Sequence, residues 1–383
     1  MTTDRLERVG EDRLRVTIPP EKPIVYDIVF GYDLFPRIAA DLATEKPASR
    51  YVIITDSELQ RLGYVDALQR EMKTRGLRVE PLVIPSGERH KTQDWASRLL
   101  EALGRGSYNR DTMILNLGGG VIGDLGGYVA GTYLRGIPFT DIPTTTLSQA
   151  DSAIGGKKGV DLESGKNLAG VFAQARRVYM DFKTLETLDD ANYRAGLVEG
   201  VKHGVIADRG HFEYFERHLD AILRKDSEAL RRITGRNCDI KGTIIQQDPK
   251  EKGLRKILNF GHTLGHAVEK ASGYGLLHGQ AVAIGMNFAA RLAHEVGDFP
   301  LEEVLRQKRV LTSLLEMPLI IPPDITNEQL FAIMAVDKKA EAGEIRFCYP
   351  KEFGVMEEFG GKYTTPVPRE VVEEVMNQCR VIR

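Results

Sequence analysis

Cysteine is scarce in this chain, the net charge is close to zero and no long apolar run is present. Its three cysteines, Cys238, Cys348 and Cys379, lie far apart and form no Cys-x-x-Cys pair, which excludes a disulfide framework and a thiolate zinc site. A formal net charge of -2 removes the usual electrostatic case for nucleic acid or an anionic membrane as a partner. Because a membrane-length apolar run and a signal-like N-terminus are both missing, we expect a soluble, cytoplasmic protein.

The apolar patterns divide the 383 residues into two predicted domains. In the first half, short β-branched runs alternate with amphipathic helical stretches, which is typical of a mostly parallel, Rossmann-like α/β domain. The predicted strands lie at residues 24–29, 51–55, 79–84, 112–117 and 139–142, with helices at 64–75 and 95–103. Later helical patterns cover residues 193–207, 210–224, 228–246, 262–272, 280–297 and 301–315. We therefore predict an α/β domain over residues 1–183 and a mainly helical domain over residues 184–383.

A glycine-rich turn follows one predicted strand directly. Gly118, Gly120 and Gly123 satisfy the pattern G-x-G-x-x-G at the end of residues 112–117, where a helix is expected to start. Such glycines let backbone amides approach a pyrophosphate, although a single match is equally typical of a tight strand-to-helix turn. In the usual Rossmann arrangement this pattern follows the first strand, whereas here it follows about the fourth.

An acid that binds a ribose must therefore come from another strand end. Asp56 follows the predicted strand at 51–55 and is well placed for this role. Glu88 and Lys91 offer a second acid and a lysine after the strand at 79–84. The alternative for these two residues is a solvated charged loop.

Lysines and glycines are mixed in residues 151–159 and 164–167. Together with Lys202, Lys241 and Arg255, they supply enough cations to bind a substrate that carries both phosphate and carboxylate. Any one of these cations, taken alone, is more typical of a protein surface.

Histidines at helical spacing indicate a metal site. His262 and His266 are four residues apart and share one helix face, and His278 follows closely. Glu199 and His203 are also four apart, and Glu269 lies on the face of His262. A single histidine is usually a core or surface group, and spacing alone does not choose the ligands among these residues.

The motifs occur in one order that resembles the 3-dehydroquinate synthases, a family of sugar-phosphate cyclases. They are residues 118–124, 151–159 and 165–167, the Glu199-x-x-Lys202 pair, residues 253–255 and residues 259–266. The similarity runs from about Asp27 to beyond Gly343, nearly the whole chain. It implies a Rossmann-like NAD-binding domain, a helical metal-binding domain, and NAD and substrate held between the two.

The resemblance also implies roles for individual residues. The metal ion, Zn²⁺ or Co²⁺, is expected on Glu199, His262 and His278, which frees His266 for substrate binding and proton transfer. The implied catalytic residues are His266, Lys157, Asn167 and Lys202. The implied substrate contacts are Arg135 (which a neighbouring subunit can supply), Asp151, Lys157, Asn167, Lys202, Lys241, Arg255, Asn259, His266 and a lysine of the pair Lys338 and Lys339. The implied NAD contacts are Asp56, Glu88, Lys91, Gly118, Gly119, Gly120, Asp124, Thr144, Thr145, Asp151, Lys166, Thr187 and Leu188.

The reaction implied by this family converts 3-deoxy-D-arabino-heptulosonate 7-phosphate to 3-dehydroquinate and phosphate, a step of the shikimate pathway. NAD is expected to take up a hydride and to return it after phosphate leaves, before an aldol closure forms the ring. The resemblance also implies a homodimer. Three motifs depart from the family pattern: Lys158 replaces a threonine, Asp189, Ala191 and Asn192 replace a proline, an arginine and a glutamate, and Gln280 replaces a glutamate.

Two other activities and an inactive protein are the alternatives. Another cyclase, of the aminodehydroquinate or valiolone type, shares fold and cofactors, but the valiolone type generally lacks the residues equivalent to His266 and Lys241, so only the amino type stays open. An iron-type polyol dehydrogenase does not need Lys157, Lys202, Lys241 and Arg255 and would give net NADH. If the protein were an inactive binding protein, we would expect some of the metal-ligand residues to be replaced, and the sequence shows no such replacement.

Overall fold

The computed structural model describes residues 7–10, 13–15, 23–337 and 344–381. Its strands are β1 (Glu7–Gly10), β2 (Arg13–Arg15), β3 (Asp27–Gly31), β4 (Arg50–Asp56), β5 (Val79–Ile84), β6 (Thr112–Gly118), β7 (Phe139–Pro143), β8 (Lys157–Leu162), β9 (Gly165–Phe172), β10 (Arg177–Asp181), β11 (Arg346–Phe347), β12 (Pro350–Glu352), β13 (Val355–Met356) and β14 (Thr365–Pro366). Its α-helices are α1 (Phe35–Glu45), α2 (Ser57–Arg61), α3 (Tyr64–Lys73), α4 (Gln93–Arg105), α5 (Gly120–Thr132), α6 (Asp190–Ala207), α7 (Arg209–Leu223), α8 (Ser227–Gln247), α9 (His262–Ala271), α10 (His278–Val296), α11 (Leu301–Leu315), α12 (Asn327–Asp337) and α13 (Arg369–Gln378).

Six parallel strands form the main sheet in the order β3-β10-β7-β6-β4-β5. From β4 the chain moves outward to β5 and then crosses back to β6 and β7, so the direction of winding reverses between β4 and β6. In sheets of this kind ligands bind at the carboxyl ends of the strands beside that reversal. The predicted α/β domain is confirmed.

Side chains alternate between the two covered faces of the sheet, as strand geometry requires. Val52 and Ile54 of β4 join the core under α4 and α5, while Ile53 joins the core under α1 and α3. All seven residues of β6 are buried. This explains why the predicted strands were continuous apolar runs, since a parallel strand is covered on both sides.

Several parts of the fold differ from the sequence prediction, which also lacked α1, α2, α13 and the short strands β11–β14. The first predicted strand starts three residues late, at Asp27, and leaves Ile24 and Val25 exposed. Strand β10 was not predicted. The lysine-rich residues 157–172 form an antiparallel β8–β9 hairpin, whose alternation is hidden by glycines and lysines.

The helical part packs around α6 and α10, and buried residues lie on most sides of both. Two glycines of α10 explain how closely this helix approaches its neighbours. A Cβ atom at Gly279 would collide with the backbone carbonyl of Ala195 in α6, and one at Gly285 would collide with the carbonyl of Gly261, the residue before α9. These contacts fix where α6, α9 and α10 meet. Among the described residues, no helix is both long enough and apolar enough to cross a bilayer.

Candidate active site

Three helices bring one carboxylate and two imidazoles together. Glu199 lies in α6, His262 is the first residue of α9 and His278 is the first residue of α10. Glu199 Oε1 is 3.5 Å from His262 Nε2 and 3.6 Å from His278 Nε2. Ligand atoms about 2.1 Å from one tetrahedral zinc ion lie roughly 3.4 Å apart, so this spacing fits a metal ion.

Hydrogen bonds behind the two histidines fix their orientation. His262 Nδ1 donates to the carbonyl of Phe260 at 3.1 Å, and His278 Nδ1 donates to Glu269 Oε2 at 3.3 Å. Both rings therefore direct Nε2 towards Glu199, as metal-binding histidines do. Glu199 Oε1 is fully buried and accepts no hydrogen bond from the described residues. This donor set fits a divalent ion such as Zn²⁺ or Co²⁺.

The electrostatics of the cluster keep Glu199 ionised. Burial acts to raise the pKa of Glu199, but the Lys202 ammonium and the two imidazoles hold it well below its ordinary value. Burial and the same ammonium lower the pKa of His262. For His278, Glu199 and Glu269 outweigh burial and raise the pKa to about 9. A metal ion on His278 would therefore displace a proton.

His266 lies beside the same two histidines. Its ring centroid is 5.1 Å from that of His262 and 5.7 Å from that of His278, and the three rings offer nitrogen atoms within 4.8 Å of one another. His266 is exposed, whereas Glu199 is fully buried. The structure therefore offers two overlapping ligand sets, and they differ in whether Glu199 or His266 completes them.

A second cluster of Asp151, Glu199 and His203 also lies within 4.8 Å. Here both carboxylates already face ammonium groups, since Lys202 forms an ion pair with Glu199 and Lys241 with Asp151. Two positive charges therefore oppose the binding of a cation here, whereas the first cluster, among the described residues, faces only the Lys202 ammonium through Glu199. His203 is directed by a 3.1 Å hydrogen bond between its Nδ1 and Asn237 Oδ1, and burial lowers its pKa to about 3.

Three cations of the predicted substrate set are buried, and two of them, Lys202 and Lys241, contact this cluster. Lys202, Lys241 and Arg255 are each at most 5% exposed. Arg255 donates to the carbonyl of Pro249 at 2.8 Å and to that of Gly155 at 3.4 Å. Burial lowers the pKa of Lys241, and it acts to raise that of Asp151, although the Lys241 ammonium keeps the Asp151 pKa below its ordinary value.

Glu251 is a residue that the sequence reasoning missed. It forms an ion pair with Lys157 and accepts a hydrogen bond from Asn259 Nδ2 at 2.8 Å, so it joins two predicted substrate contacts. Its neighbours in the sequence, Lys250 and Lys252, give no local sign of these contacts. Asn167, by contrast, lies in β9, where its Oδ1 accepts from Lys91 Nζ at 2.7 Å.

The glycine-rich turn lies beside the reversal of the sheet. Gly118 ends β6, Gly119 precedes α5 and Gly120 begins it, and no side chain caps this helix. Its first amides are therefore available to a phosphate. A Cβ atom at Gly119 would be 3.1 Å from Thr145 Cγ2, so the turn leaves little room for a side chain.

The other predicted NAD contacts lie at neighbouring strand ends. Asp56 ends β4 and caps α2 by accepting from the amides of Glu58 and Leu59 at 2.9 and 3.1 Å. Thr144 and Thr145 directly follow β7. Thr187 and Leu188 lie further along the chain, at the end of a short 3₁₀ helix. There the Thr187 hydroxyl is 2.8 Å from that of Tyr64, and the Leu188 carbonyl accepts from Lys225 Nζ at 3.1 Å.

A charge cluster joins the loop after β5 to the β8–β9 hairpin. The buried Lys91 Nζ is 3.3 Å from Asp124 and 3.5 Å from Glu88. Burial raises the pKa of Asp124, although Lys91 opposes this. Lys166 Nζ is 3.4 Å from Glu88 and 2.9 Å from Glu269 Oε1.

Arg135 lies apart from these groups. It ends an exposed turn in which Leu134 and Arg135 have left-handed backbones, with φ of 51° and 67°. The predicted contacts Lys338 and Lys339 lie outside the described residues.

Three of the residues that depart from the family pattern, Lys158, Gln280 and Asn192, have partners for their side chains in the structure. Lys158 Nζ forms a buried ion pair with Asp141 Oδ2 at 2.7 Å, which anchors the hairpin to β7. Gln280 Oε1 accepts from the Leu277 amide at 2.9 Å and thereby caps α10 just before His278. Asn192 Nδ2 donates to Asp189 Oδ2 at 2.9 Å.

Comparisons with known proteins identify the family. Residues 81–195 match the model of the 3-dehydroquinate synthase N-terminal domain, and residues 196–340 match that of the C-terminal domain. A 3-dehydroquinate synthase from Thermoanaerobacter sp. (strain X514) is 41% identical over 333 residues, which cover 87% of this chain and 93% of the relative. The chain belongs to the 3-dehydroquinate synthase family.

Solved structures of other cyclases share the fold of this family member. A 2-deoxy-scyllo-inosose synthase in complex with carbaglucose-6-phosphate, NAD⁺ and Co²⁺ superposes with a TM-score of 0.84 at 26% identity, covering 92% of this chain and 97% of the other. A 2-epi-5-epi-valiolone synthase from Streptomyces hygroscopicus with NAD⁺ and Zn²⁺ gives 0.85 at 27%, covering 95% and 99%. An iron-containing alcohol dehydrogenase from Thermotoga maritima, at 17% identity and a TM-score of 0.65 over 94% and 99% of the two chains, shares the fold alone.

Proposed function

We propose that this chain converts 3-deoxy-D-arabino-heptulosonate 7-phosphate to 3-dehydroquinate and phosphate. The observation that carries the proposal is the position of the buried cations Lys202 and Lys241 directly behind the Glu199, His262 and His278 cluster. A site that handles a neutral polyol has no use for cations so deeply buried, whereas a phosphorylated sugar acid offers two anionic groups. The 3-dehydroquinate synthase relatives support the same reaction.

We assign the metal ion to Glu199, His262 and His278. Zn²⁺ or Co²⁺ at this position would supply Lewis acidity to substrate hydroxyl groups. The buried Glu199 carboxylate and the two oriented Nε2 atoms already face one another, so they need little rearrangement to bind an ion. The exposed His266 is proposed to contact the substrate instead. NAD, when bound at the α5 turn, would accept a hydride and return it.

The cationic side chains are proposed to hold the anionic ends of the substrate. Arg255 is positioned by two backbone carbonyls and Lys241 by Asp151, so both present charge from a fixed place. A group fixed in this way loses little conformational entropy when it binds an anion. Lys157 and Asn259, which both contact Glu251, are also proposed to bind the substrate, and His266 is proposed to accept a proton from it.

The remaining predicted site residues are assigned to NAD or to the substrate according to where they lie in the fold. Asp56, Gly118, Gly119, Gly120, Thr144 and Thr145, at the carboxyl ends of the strands, are proposed to contact NAD, as are Glu88, Lys91, Asp124, Asp151, Lys166, Thr187 and Leu188. Asn167 lies in β9 and accepts a hydrogen bond from Lys91, one of these proposed NAD contacts. Asn167 itself is proposed to contact the substrate. A phosphorylated sugar acid is thus proposed to bind between the two domains, whose boundary at residues 183 and 184 stays a prediction.

We further propose a cytoplasmic homodimer in which Arg135 reaches the site of the partner. Leu168 and Phe172 of β9 are 60% and 65% exposed, and Leu134 beside Arg135 is 41% exposed, which are high values for large apolar side chains. Light scattering on the purified protein should give twice the chain mass, and Leu168→Asp should reduce it. A monomer at micromolar concentration contradicts the assembly.

A single incubation tests the reaction. The chelated protein is supplied with the heptulosonate phosphate, NAD and either Zn²⁺ or no metal, and phosphate, NADH and the carbocyclic product are followed together. We expect phosphate release and 3-dehydroquinate only with metal, without accumulation of NADH. One NADH per turnover identifies a dehydrogenase, and full activity in a verified metal-free sample refutes the metal assignment.

A further inference from the structure

Glu269 connects the candidate metal cluster to strand β9 of the β8–β9 hairpin. Its Oε2 accepts from His278 Nδ1 at 3.3 Å, and its Oε1 accepts from Lys166 Nζ at 2.9 Å. The Glu269 side chain is only 9% exposed, whereas those of Lys166 and His278 are 30% and 28% exposed, so the carboxylate is the buried partner in both contacts. Each of its two carboxylate oxygens therefore has a different partner, one in α10 and one in β9.

The same chain of contacts extends in both directions. Lys166 also lies 3.4 Å from Glu88, in the turn after β5, and 4.3 Å from the centre of the Tyr274 ring. His278 in turn directs Nε2 to within 3.6 Å of Glu199. Glu88, Lys166, Glu269, His278 and Glu199 thus form a continuous series of alternating charge and hydrogen-bond contacts between the two halves of the molecule.

We propose that Glu269 is a positioning residue that couples metal binding to NAD binding. This inference rests on the proposed roles of His278 as a metal ligand and Lys166 as an NAD contact. A metal on His278 Nε2 fixes the imidazole, which fixes Glu269 through Nδ1, and Glu269 then holds Lys166 where NAD meets it. Since binding free energies are reciprocal, NAD must tighten the metal by the same factor by which the metal tightens NAD.

The test measures two affinities in each protein. Co²⁺ binding to the chelated enzyme is followed by the visible absorption of the bound ion. NAD binding, with and without Co²⁺, is followed by the fluorescence of Trp95, the one tryptophan, whose indole donates to His90 in the turn beside Glu88. The variants are Glu269→Gln, which keeps an acceptor for His278 but removes the charge, and Glu269→Ala, which removes both. Glu295→Gln, at the exposed end of α10, is the matched control for charge.

We expect Co²⁺ affinity to fall about tenfold or more in Glu269→Ala and less in Glu269→Gln, as for other residues that orient a ligand. The wild type and Glu295→Gln should bind NAD at least about fivefold more tightly with Co²⁺ than without it, and both Glu269 variants should lose this difference. An unchanged difference in Glu269→Gln overturns the coupling, as does an unchanged Co²⁺ affinity in a folded Glu269→Ala.

A further variant separates this inference from the site assignment. His278→Ala should lose the absorption of bound Co²⁺. If it binds Co²⁺ as the wild type does, then the proposed metal site is wrong and the inference falls with it. If His278→Ala loses Co²⁺ but the Glu269 variants behave as the wild type does, then only the role of Glu269 is refuted.

Discussion

The two proposed ligand sites of the molecule are made in different ways. At the carboxyl ends of the strands, the proposed phosphate site, called the cradle below, consists of backbone amides at the start of α5. Glycines there leave space for the phosphate to approach these amides. In the helical part, the metal cluster consists entirely of side chains, which α6, α9 and α10 bring together from positions up to 79 residues apart, Glu199 to His278. The first is a local feature of the chain, and the second exists only after the helices have packed.

This difference predicts unequal tolerance to substitution. A backbone cradle loses part of its affinity when one position changes, because several amides share the anion. A cluster of three ligands loses its ion when one ligand is removed. The four predictions below test that contrast, starting with the largest expected effect.

Removing Glu199 should abolish both metal binding and turnover. Glu199→Ala is expected to lose the absorption of bound Co²⁺ and about 1000-fold or more of kcat, because two imidazoles alone hold the ion weakly. His266→Ala should lose a comparable share of kcat while it keeps the Co²⁺ spectrum. The reverse outcome, loss of Co²⁺ only in His266→Ala, would show that the three histidines are the ligands.

Removing Lys241 should weaken substrate binding without affecting NAD. Lys241→Ala is expected to raise KM for the heptulosonate phosphate about 100-fold, because a charge-assisted contact with an anionic group is lost. It should also lower the free energy of unfolding by about 2 kcal/mol, because Asp151, whose side chain is 33% exposed, loses its partner. Asp151 is itself a proposed NAD contact, so the NAD affinity is measured in the same variant.

A double variant separates these two effects. Lys241→Met combined with Asp151→Asn should recover stability, measured by urea unfolding, but not substrate affinity. Recovery of both would mean that Lys241 acts on the fold alone.

Filling the cradle at the sheet edge should have a moderate effect. Gly119→Ala is expected to weaken NAD about tenfold and to leave Co²⁺ affinity unchanged, because the new methyl group meets Thr145 Cγ2 at 3.1 Å and shifts the first amides of α5. Gly104→Ala is the matched control, since its methyl group in α4 meets nothing within 4 Å and should stabilise the helix slightly. Equal NAD affinities in the two variants would argue against a cradle at Gly119.

The smallest effect on activity is expected at His211, which lies in the helical core. It is fully buried, its Nε2 lies 2.9 Å from Asn237 Oδ1, and burial lowers its pKa from 6.5 to about 4. Between pH 6.5 and 4 the unfolded chain therefore binds a proton at His211 that the folded chain does not bind. The free energy of unfolding is highest above pH 6.5 and falls by about 3 kcal/mol as the pH is lowered towards 4. Urea unfolding from pH 4 to 7 should show a flatter pH dependence in His211→Gln, with kcat at pH 7.5 retained. An unchanged slope would assign the acid sensitivity to other groups.

The same contrast explains what the sequence predicted. The central strands and the glycine turn were predicted correctly because a doubly covered strand and a strand-to-helix turn leave a local signature. The β8–β9 hairpin was missed because its inward residues include Lys158, a charge buried only by virtue of Asp141 in a distant strand. A lysine can be buried in this way only when it pairs with an acid from another part of the chain, and local sequence patterns do not reveal such pairs.

In the metal cluster, the sequence supplied the candidates but not the geometry. Spacing on one helix predicted His262 and His266 as neighbours, which the structure shows, yet it said nothing of the approach of α6 and α10. The resemblance supplied the set Glu199, His262 and His278, whose roles stay predictions. Glu251 was missed because its partners, Lys157 and Asn259, are 94 and 8 residues away and meet only in the folded protein.

The contacts at Gly279 and Gly285 have a consequence for engineering. Since α10 touches the backbones of α6 and of the residue before α9 without intervening side chains, these helices have no space in which to move closer, and larger residues at the two glycines would drive them apart. Changing the preferred ion of this centre is therefore a matter of exchanging donor side chains on helices whose spacing is set by backbone contacts.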